Sequence, residues 1–327
     1  MAARQLPSRS TWRPAGNCRP WPELLTRDLV TLAAKCTSEH STKQLRNYRG
    51  KKAVMGKIEP LTFGVVGDNT IDQYFGADER SFVGGNALNV GVQLRLLGHQ
   101  VRYAGAIGPD TDGRRIRKGL EDSGVLTEGL VVMDGITSIS RIRVKPNGDR
   151  AIEYEDFAVC ADYRPSAAEL DALAQCDFVH IGMSPFAGEI RAGLRARGAR
   201  ISQDCAVSSG YDRLDVAFCS AGEDPGAARL LAEAAIAGGA RLVVVTCGAD
   251  GSLAYDGSNW TSQGADPVTL VDTTGAGDSY IAGFLAAMAQ GLPLQECMQA
   301  GAATAAVTCS HWGGWPQQPL VLNGTGD

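Results

Sequence analysis

Residues 271–285 read Val271-Asp272-Thr273-Thr274-Gly275-Ala276-Gly277-Asp278-Ser279-Tyr280-Ile281-Ala282-Gly283-Phe284-Leu285. A β-favouring run, Pro267 to Val271, meets a turn with glycines at 275 and 277, after which Tyr280, Ile281, Phe284, Leu285 and Met288 fall on one helical face. The pattern is a glycine turn that opens a helix. Unpaired N–H groups at such a start, with the positive end of the helix dipole behind them, form an anion site, and Gly275 and Gly277 let backbone approach a phosphate closely. Asp278, in the first turn, has two readings: an acid that only complements the dipole, or a carboxylate placed beside a bound phosphate. The second suits phosphoryl transfer, in which the protein supplies positioning, charge stabilisation and a base for the attacking hydroxyl.

Two better-known glycine motifs are excluded. There is no G-x-x-x-x-G-K-S/T run, and Gly275-Ala276-Gly277 is followed by Tyr280 where a dinucleotide fingerprint wants Gly or Ala.

At 327 residues the chain can bury a large core as one α/β domain or two small ones. Its nine cysteines contain no C-x-x-C pair, and several lie in apolar runs, which fits a reducing cytoplasm. With four scattered histidines, no protein-bound transition metal is expected, and His180 reads as a strand residue. The first 54 residues carry eleven Lys/Arg against three acids, a charge of +8; the chain total of −5 leaves −13 for residues 55–327. An acidic body argues against a nucleic-acid surface, and the basic leader has no apolar run fit for a signal peptide or membrane span. A transit peptide, a basic tail or sequence upstream of a start at Met55 are the three readings of the leader, the last favoured; its one short helical candidate is Pro22 to Lys35.

Further along, Leu61 to Gly67 is an apolar strand followed by Asp68 and Asp72, polar groups at the strand end where open parallel sheets bind ligands. Phe82 to Gly98 is a second glycine turn leading into a helix, and Asp110 to Val125 an amphipathic helix with an Asp112 start and a Gly124 stop. Thr137 to Asp156 alternates with period two around Asn147-Gly148, a hairpin signal. In a regular hairpin Ile142 and Val144 share a face with Ile152 and Tyr154, and Arg141 and Arg143 share the other with Glu153 and Glu155. Those charges read first as a solvated cross-strand ladder and second as partners of a zwitterionic substrate. From 165 onward strands (178–182, 199–204, 216–220, 241–246) alternate with helices (166–175, 189–197, 226–238), the pattern of a doubly wound, mainly parallel sheet with helices on both faces.

The D-T-x-G-A-G-D core at Asp272, Thr273, Gly275, Ala276, Gly277 and Asp278, together with Gly84, Gly85, Ala87, Asn89, Gly98 and Gly108 in the earlier turn and helix, resembles the two signatures of the ribokinase-like (PfkB) carbohydrate kinases. Gly91 departs from the family's usual small Ser, Thr or Ala. The resemblance spans roughly residues 61–316. It implies an α/β kinase domain over 55–327 with a small inserted β-sheet lid, near 72–84 and 131–160, that covers the sugar and often makes a homodimer contact. It also implies that Asp278 is the catalytic base and that the amides of Gly275, Ala276, Gly277 and Asp278 hold the transferred phosphoryl group. Asp72, Gly84, Gly85 and Asn89 would contact the sugar. ATP and Mg2+ would lie beside Ser220, Glu223, Thr246, Gly248 and Gly251, with Ser220 standing where the family commonly has Asn. A monovalent cation, K+, would sit near Asp272 and Thr274. Strings such as Gly67 to Tyr74, Gly84 to Val90 and Ala217 to Ala221 are most similar to the branch acting on fructosamines, so the expected acceptor is the 6-hydroxyl of a compound such as fructoselysine. Other sugars (ribose, fructose, 2-keto-3-deoxygluconate), or a non-catalytic sensor on the same fold, are the alternatives.

Overall fold

The computed structural model describes residues 60–76, 79–144, 150–222 and 224–322. The basic leader with its helical candidate, the Asn147-Gly148 turn and Glu223 lie outside the described residues. The strands are β1 (Thr62–Val66), β2 (Thr70–Gly76), β3 (Arg80–Gly84), β4 (Gln100–Ile107), β5 (Leu126–Val132), β6 (Ile139–Val144), β7 (Arg150–Asp156), β8 (Phe178–Ile181), β9 (Ile201–Asp204), β10 (Val216–Ser220), β11 (Val243–Thr246), β12 (Ser252–Tyr255), β13 (Trp260–Gln263) and β14 (Leu320–Val321). The helices are α1 (Asn86–Leu96), α2 (Thr111–Asp122), α3 (Ala158–Asp162), α4 (Ala167–Ala174), α5 (Ala187–Ala196), α6 (Pro225–Ala237), α7 (Ala276–Ala289) and α8 (Leu294–Thr308).

Because side chains alternate across a strand, the short apolar runs feed two cores at once. Phe63 and Val65 of β1, Phe218 of β10 and Val244 of β11 join α1, α2, α7 and α8 on one face of the main sheet. Val66, Ala217, Val243 and Val245 join α4, α5 and α6 on the other. The strand order is β13-β12-β11-β10-β9-β8-β1-β4-β5, parallel except for the antiparallel β12 and β13 at one edge. All the parallel strands therefore end at one side, which gathers Asp68, Asp204, Ser220 and Thr246 along a single rim. A second sheet, β14-β3-β2-β6-β7, is the inserted lid. Tyr74, Phe82, Ile142 and Val144 form its own small core, with Trp312 packed against it.

Four expectations are corrected. The β-favouring run Pro267 to Val271 is not a strand but an irregular, largely exposed connection, with Leu270 62% exposed, and β12 and β13 complete that edge of the main sheet. Helix α7 is buried on all sides from Asp278 to Ala287 and is not amphipathic, since α1 and α8 both pack on it. Glycine makes that approach possible: a Cβ on Gly283 would lie 2.3 Å from Thr304 Oγ1, and one on Gly301 2.9 Å from the Tyr280 ring. The start of α2 is capped by Asp110, whose carboxylate accepts the Gly113 N–H at 2.7 Å, so Asp112 falls within the first turn. The lid hairpin carries a β-bulge. Arg141 pairs with Tyr154 but Ile142 pairs with Ile152, leaving Glu153 as the extra residue, and Glu155 pairs with Ser140.

Candidate active site

Helix α7 begins as its residues dictate. Gly275 adopts a left-handed conformation (φ 74°) as N-cap, and a Cβ there would strike Gly314 Cα at 2.5 Å. The Ala276 N–H folds back to the Thr273 carbonyl at 3.1 Å, while among the described residues no carbonyl receives the N–H of Gly275, Gly277 or Asp278. Three of the four expected anion-hole donors are thus available. Gly277 is exposed, with nothing within 4 Å of the place its Cβ would occupy.

Asp278 lies beside these donors and is 9% exposed. Its two oxygens accept from the side chains of two asparagines at the other glycine turn, Asn86 Nδ2 at 2.6 Å and Asn89 Nδ2 at 2.8 Å. Burial pushes the Asp278 carboxyl well above the usual range; the Asn89 and Asn86 bonds pull it down, and the charges of Asp204 and Asp68 push it further up. Asn86 is the hub. The same Nδ2 donates to Asp204 Oδ2 at 2.8 Å, and its backbone N–H donates to Asp68 Oδ2 at 2.8 Å.

Asp68 also accepts from Ala87 N–H (2.9 Å) and Met183 N–H (3.2 Å), so it ties β1 to the start of α1 and to the segment after β8. Burial raises its carboxyl to about 6 against those bonds. Asp204, at the end of β9, accepts from Ala206 N–H at 2.9 Å and is likewise raised by burial. Asn86 and Asp204 were not singled out from sequence. Asp204 could have been, by the argument that selects Asp68: an acid at the carboxyl end of a parallel strand.

Asp72 lies on the lid, in β2, facing Gly84. A Cβ on Gly84 would sit 2.1 Å from Asp72 Oδ2, so only glycine leaves that carboxylate its place, and Gly85 (φ 111°) brings the chain within 2.5 Å of Asn69 Cα in the same terms. Asp72 is 5% exposed and has no hydrogen-bond partner among the described residues. Burial raises its carboxyl to about 7, helped by the charges of Asp68, Asp272 and Glu155.

Asp272 is fully buried and accepts from Thr274 N–H (3.0 Å), Gly313 N–H (3.0 Å) and the Tyr74 hydroxyl (2.9 Å), which also lies 2.7 Å from Thr274 Oγ1. Asp272 and Thr274 thereby lock the α7 turn to the lid. Ser220 and Thr246 pair in register at the ends of β10 and β11, Ser220 exposed and Thr246 half-buried. Gly248 (φ 54°) opens a short turn, and a Cβ on Gly251 (φ 91°) would fall 2.1 Å from the Gln263 carbonyl. This group shares the rim with Asp278, but among the described residues no hydrogen bond joins the two.

A buried carboxylate at a helix start lined with free N–H groups, under the second sheet and beside a rim of strand ends, suits the movement of a phosphoryl group onto a hydroxyl. The comparisons agree. The family model described as pfkB family carbohydrate kinase matches residues 76–211 and 214–319. The fructoselysine 6-kinase of Shigella flexneri is 35% identical over 263 residues, covering 78% of this chain and 99% of that one. The fructosamine kinase of Bacillus subtilis is 26% identical over 265 residues, covering 76% and 90%. Among solved structures, Arabidopsis thaliana ribokinase complexed with ribose and ATP superposes with a TM-score of 0.70 at 20% identity, over 78% of this chain and 94% of that one. The chain belongs to the pfkB family of carbohydrate kinases, phosphotransferases that use ATP on a sugar. Among the described residues no helix is long and apolar enough to cross a membrane.

Proposed function

We propose that the protein phosphorylates the 6-hydroxyl of a fructosamine such as fructoselysine. The observation that carries the substrate class is the 35% identity running through 99% of a fructoselysine 6-kinase. In this reading Asp278, its carboxyl raised and its orientation fixed by Asn86 and Asn89, takes the proton of the attacking hydroxyl. The free N–H groups of Gly275, Gly277 and Asp278 receive the phosphoryl oxygens where charge accumulates. Asp72, Gly84, Gly85 and Asn89 hold the sugar hydroxyls.

The nucleotide lies along Ser220, Thr246, Gly248 and Gly251. Among the described residues no group of three or more His, Cys, Asp or Glu side chains is gathered as a metal cage. Magnesium fits as an ion carried in on phosphate oxygens, meeting Ser220 and Glu223, and it would supply charge neutralisation there. A K+ ion beside Asp272 and Thr274, a homodimer through the lid, a cytoplasmic location and a native start at Met55 are further parts of the proposal. The location is supported by the free cysteines of the described residues.

The test is ADP release with ATP and magnesium across fructoselysine, other fructose-amino acids, fructose, ribose and 2-keto-3-deoxygluconate. Turnover favouring the fructose-amino acids supports the proposal. Turnover on a plain sugar alone overturns the substrate, and ATP binding with no turnover on any acceptor revives the sensor reading.

A further inference from the structure

The lid holds an acid that the reading above leaves without a task. Its position follows from the bulge. With Glu153 as the extra residue of β7, Glu155 pairs with Ser140 of β6, and Ser140 pairs with Asp72 of β2. Paired residues share a face, so Asp72, Ser140 and Glu155 form one row on the face turned toward the body, with Tyr74 and Ile142 in the next row. Ser140 is engaged, its hydroxyl 3.3 Å from that of Thr70. The two acids are not. Asp72 is buried without a donor, and Glu155, exposed on the edge strand two strand spacings away (about 10 Å), has no ion-pair partner among the described residues.

The nearby cations do not answer them. Arg143 is on the outer face, paired with Glu153 and stacked on Phe75, and Arg141 is exposed on that same face opposite Tyr154. Arg80, in the next inner row, lies over the Trp312 ring. A buried carboxyl and a carboxylate in one row, with no cation paired to either among the described residues, are complementary to a ligand that brings hydroxyls to the first and positive charge to the second.

We infer that Glu155 is a specificity-determining residue that receives the protonated amine of the acceptor, while the adjoining Asp72 receives sugar hydroxyls. This rests on the proposed fructosamine acceptor and deepens it. The order of groups along that molecule suits the arrangement. Its 6-hydroxyl reaches Asp278 in the body, its amine is attached at carbon 1 at the opposite end of the sugar, and an exposed edge strand leaves the amino-acid substituent room to run into solvent.

Glu155→Gln, assayed with saturating ATP and magnesium, is expected to lower kcat/KM for fructoselysine by about ten- to a hundredfold, mostly through KM. The same variant should leave fructose, which has the hydroxyl but no amine, within about twofold. Glu155→Ala provides a second variant should the first fold poorly. A wild-type preference for fructoselysine that survives both substitutions, or an equal loss on both acceptors, overturns the role of Glu155 while leaving the fructosamine reading in place. A wild-type enzyme with no preference for fructoselysine over fructose overturns both.

Discussion

The body side and the lid side of the cleft treat their carboxylates in opposite ways. At the start of α7 every acid has donors: Asp278 two asparagine amides, Asp204 an amide and a backbone N–H, Asp68 three backbone N–H groups. On the lid Asp72 is buried with none among the described residues. Preorganised donors fix a group whose position the chemistry depends on, and an unpartnered one is completed by what binds. Under the proposed function, the body is built for the reaction and the lid for the acceptor. Asp278→Asn breaks this contrast most severely. It keeps the shape and the helix start but removes the proton acceptor, so kcat should fall by about 10^2–10^4 while ATP affinity, read by titration, changes little. Near-normal turnover would refute the assignment.

Asn86→Ala tests whether the body's wiring matters beyond the base itself. Losing this amide frees Asp278 and Asp204 to repel one another and removes a bond that holds the Asp278 carboxyl down. The base titrates higher in the variant, so the acidic limb of the kcat–pH profile should move to higher pH, with kcat at its plateau about tenfold lower. An unmoved limb would leave Asn86 as packing only.

Asp72→Asn probes the lid side, with two effects of opposite sign. Acceptor affinity should fall, since the hydroxyl-binding carboxylate is gone. Stability should rise. The folded pKa of Asp72, about 7, stands above the ordinary carboxylate value of 3.8, so the folded protein holds that proton more tightly than the unfolded chain does. Stability is fully present below the lower value and is lost as pH climbs through the upper one. The asparagine cannot ionise, so its advantage should open between about pH 4 and pH 7 and stay level above, at no more than a few kcal/mol. Thermal denaturation at both ends of that window measures it, and a wild type more stable than the variant at alkaline pH would contradict the burial argument.

Much of the body was legible in the sequence because it is local. A strand ending in polar residues, a glycine turn opening a helix, and the Gly-Ala-Gly-Asp order state both geometry and chemistry within a few residues. Asn86 was not legible, because its role is to join Asp204 and Asp278, which lie 118 and 192 positions away. Pro267 to Val271 has strand composition, yet with β12 and β13 already completing that edge it joins no sheet among the described residues, and β propensity counts for little outside one. Periodicity likewise gave the hairpin but not the bulge. One extra residue reverses which side chains look inward, and no signal in Ile152-Glu153-Tyr154-Glu155 announces it.

That reversal yields the smallest effect and the sharpest contrast. Glu153 and Glu155 are two apart on one strand, which in a regular hairpin puts both on one face with Arg141 and Arg143. Across the bulge they part. Glu153 pairs with Arg143 on the outer side, where both are about two-fifths or more exposed, and such solvated pairs contribute little. Glu153→Gln should therefore leave kcat, KM for every acceptor and the melting temperature nearly at wild-type values, in the same assays in which Glu155→Gln loses the amine-bearing acceptor. If instead the two substitutions weaken fructoselysine equally, the strand has no bulge in solution and the charges of β7 face one way. The lid would then be an ordinary hairpin, and the inner row that selects the acceptor would have to end at Asp72.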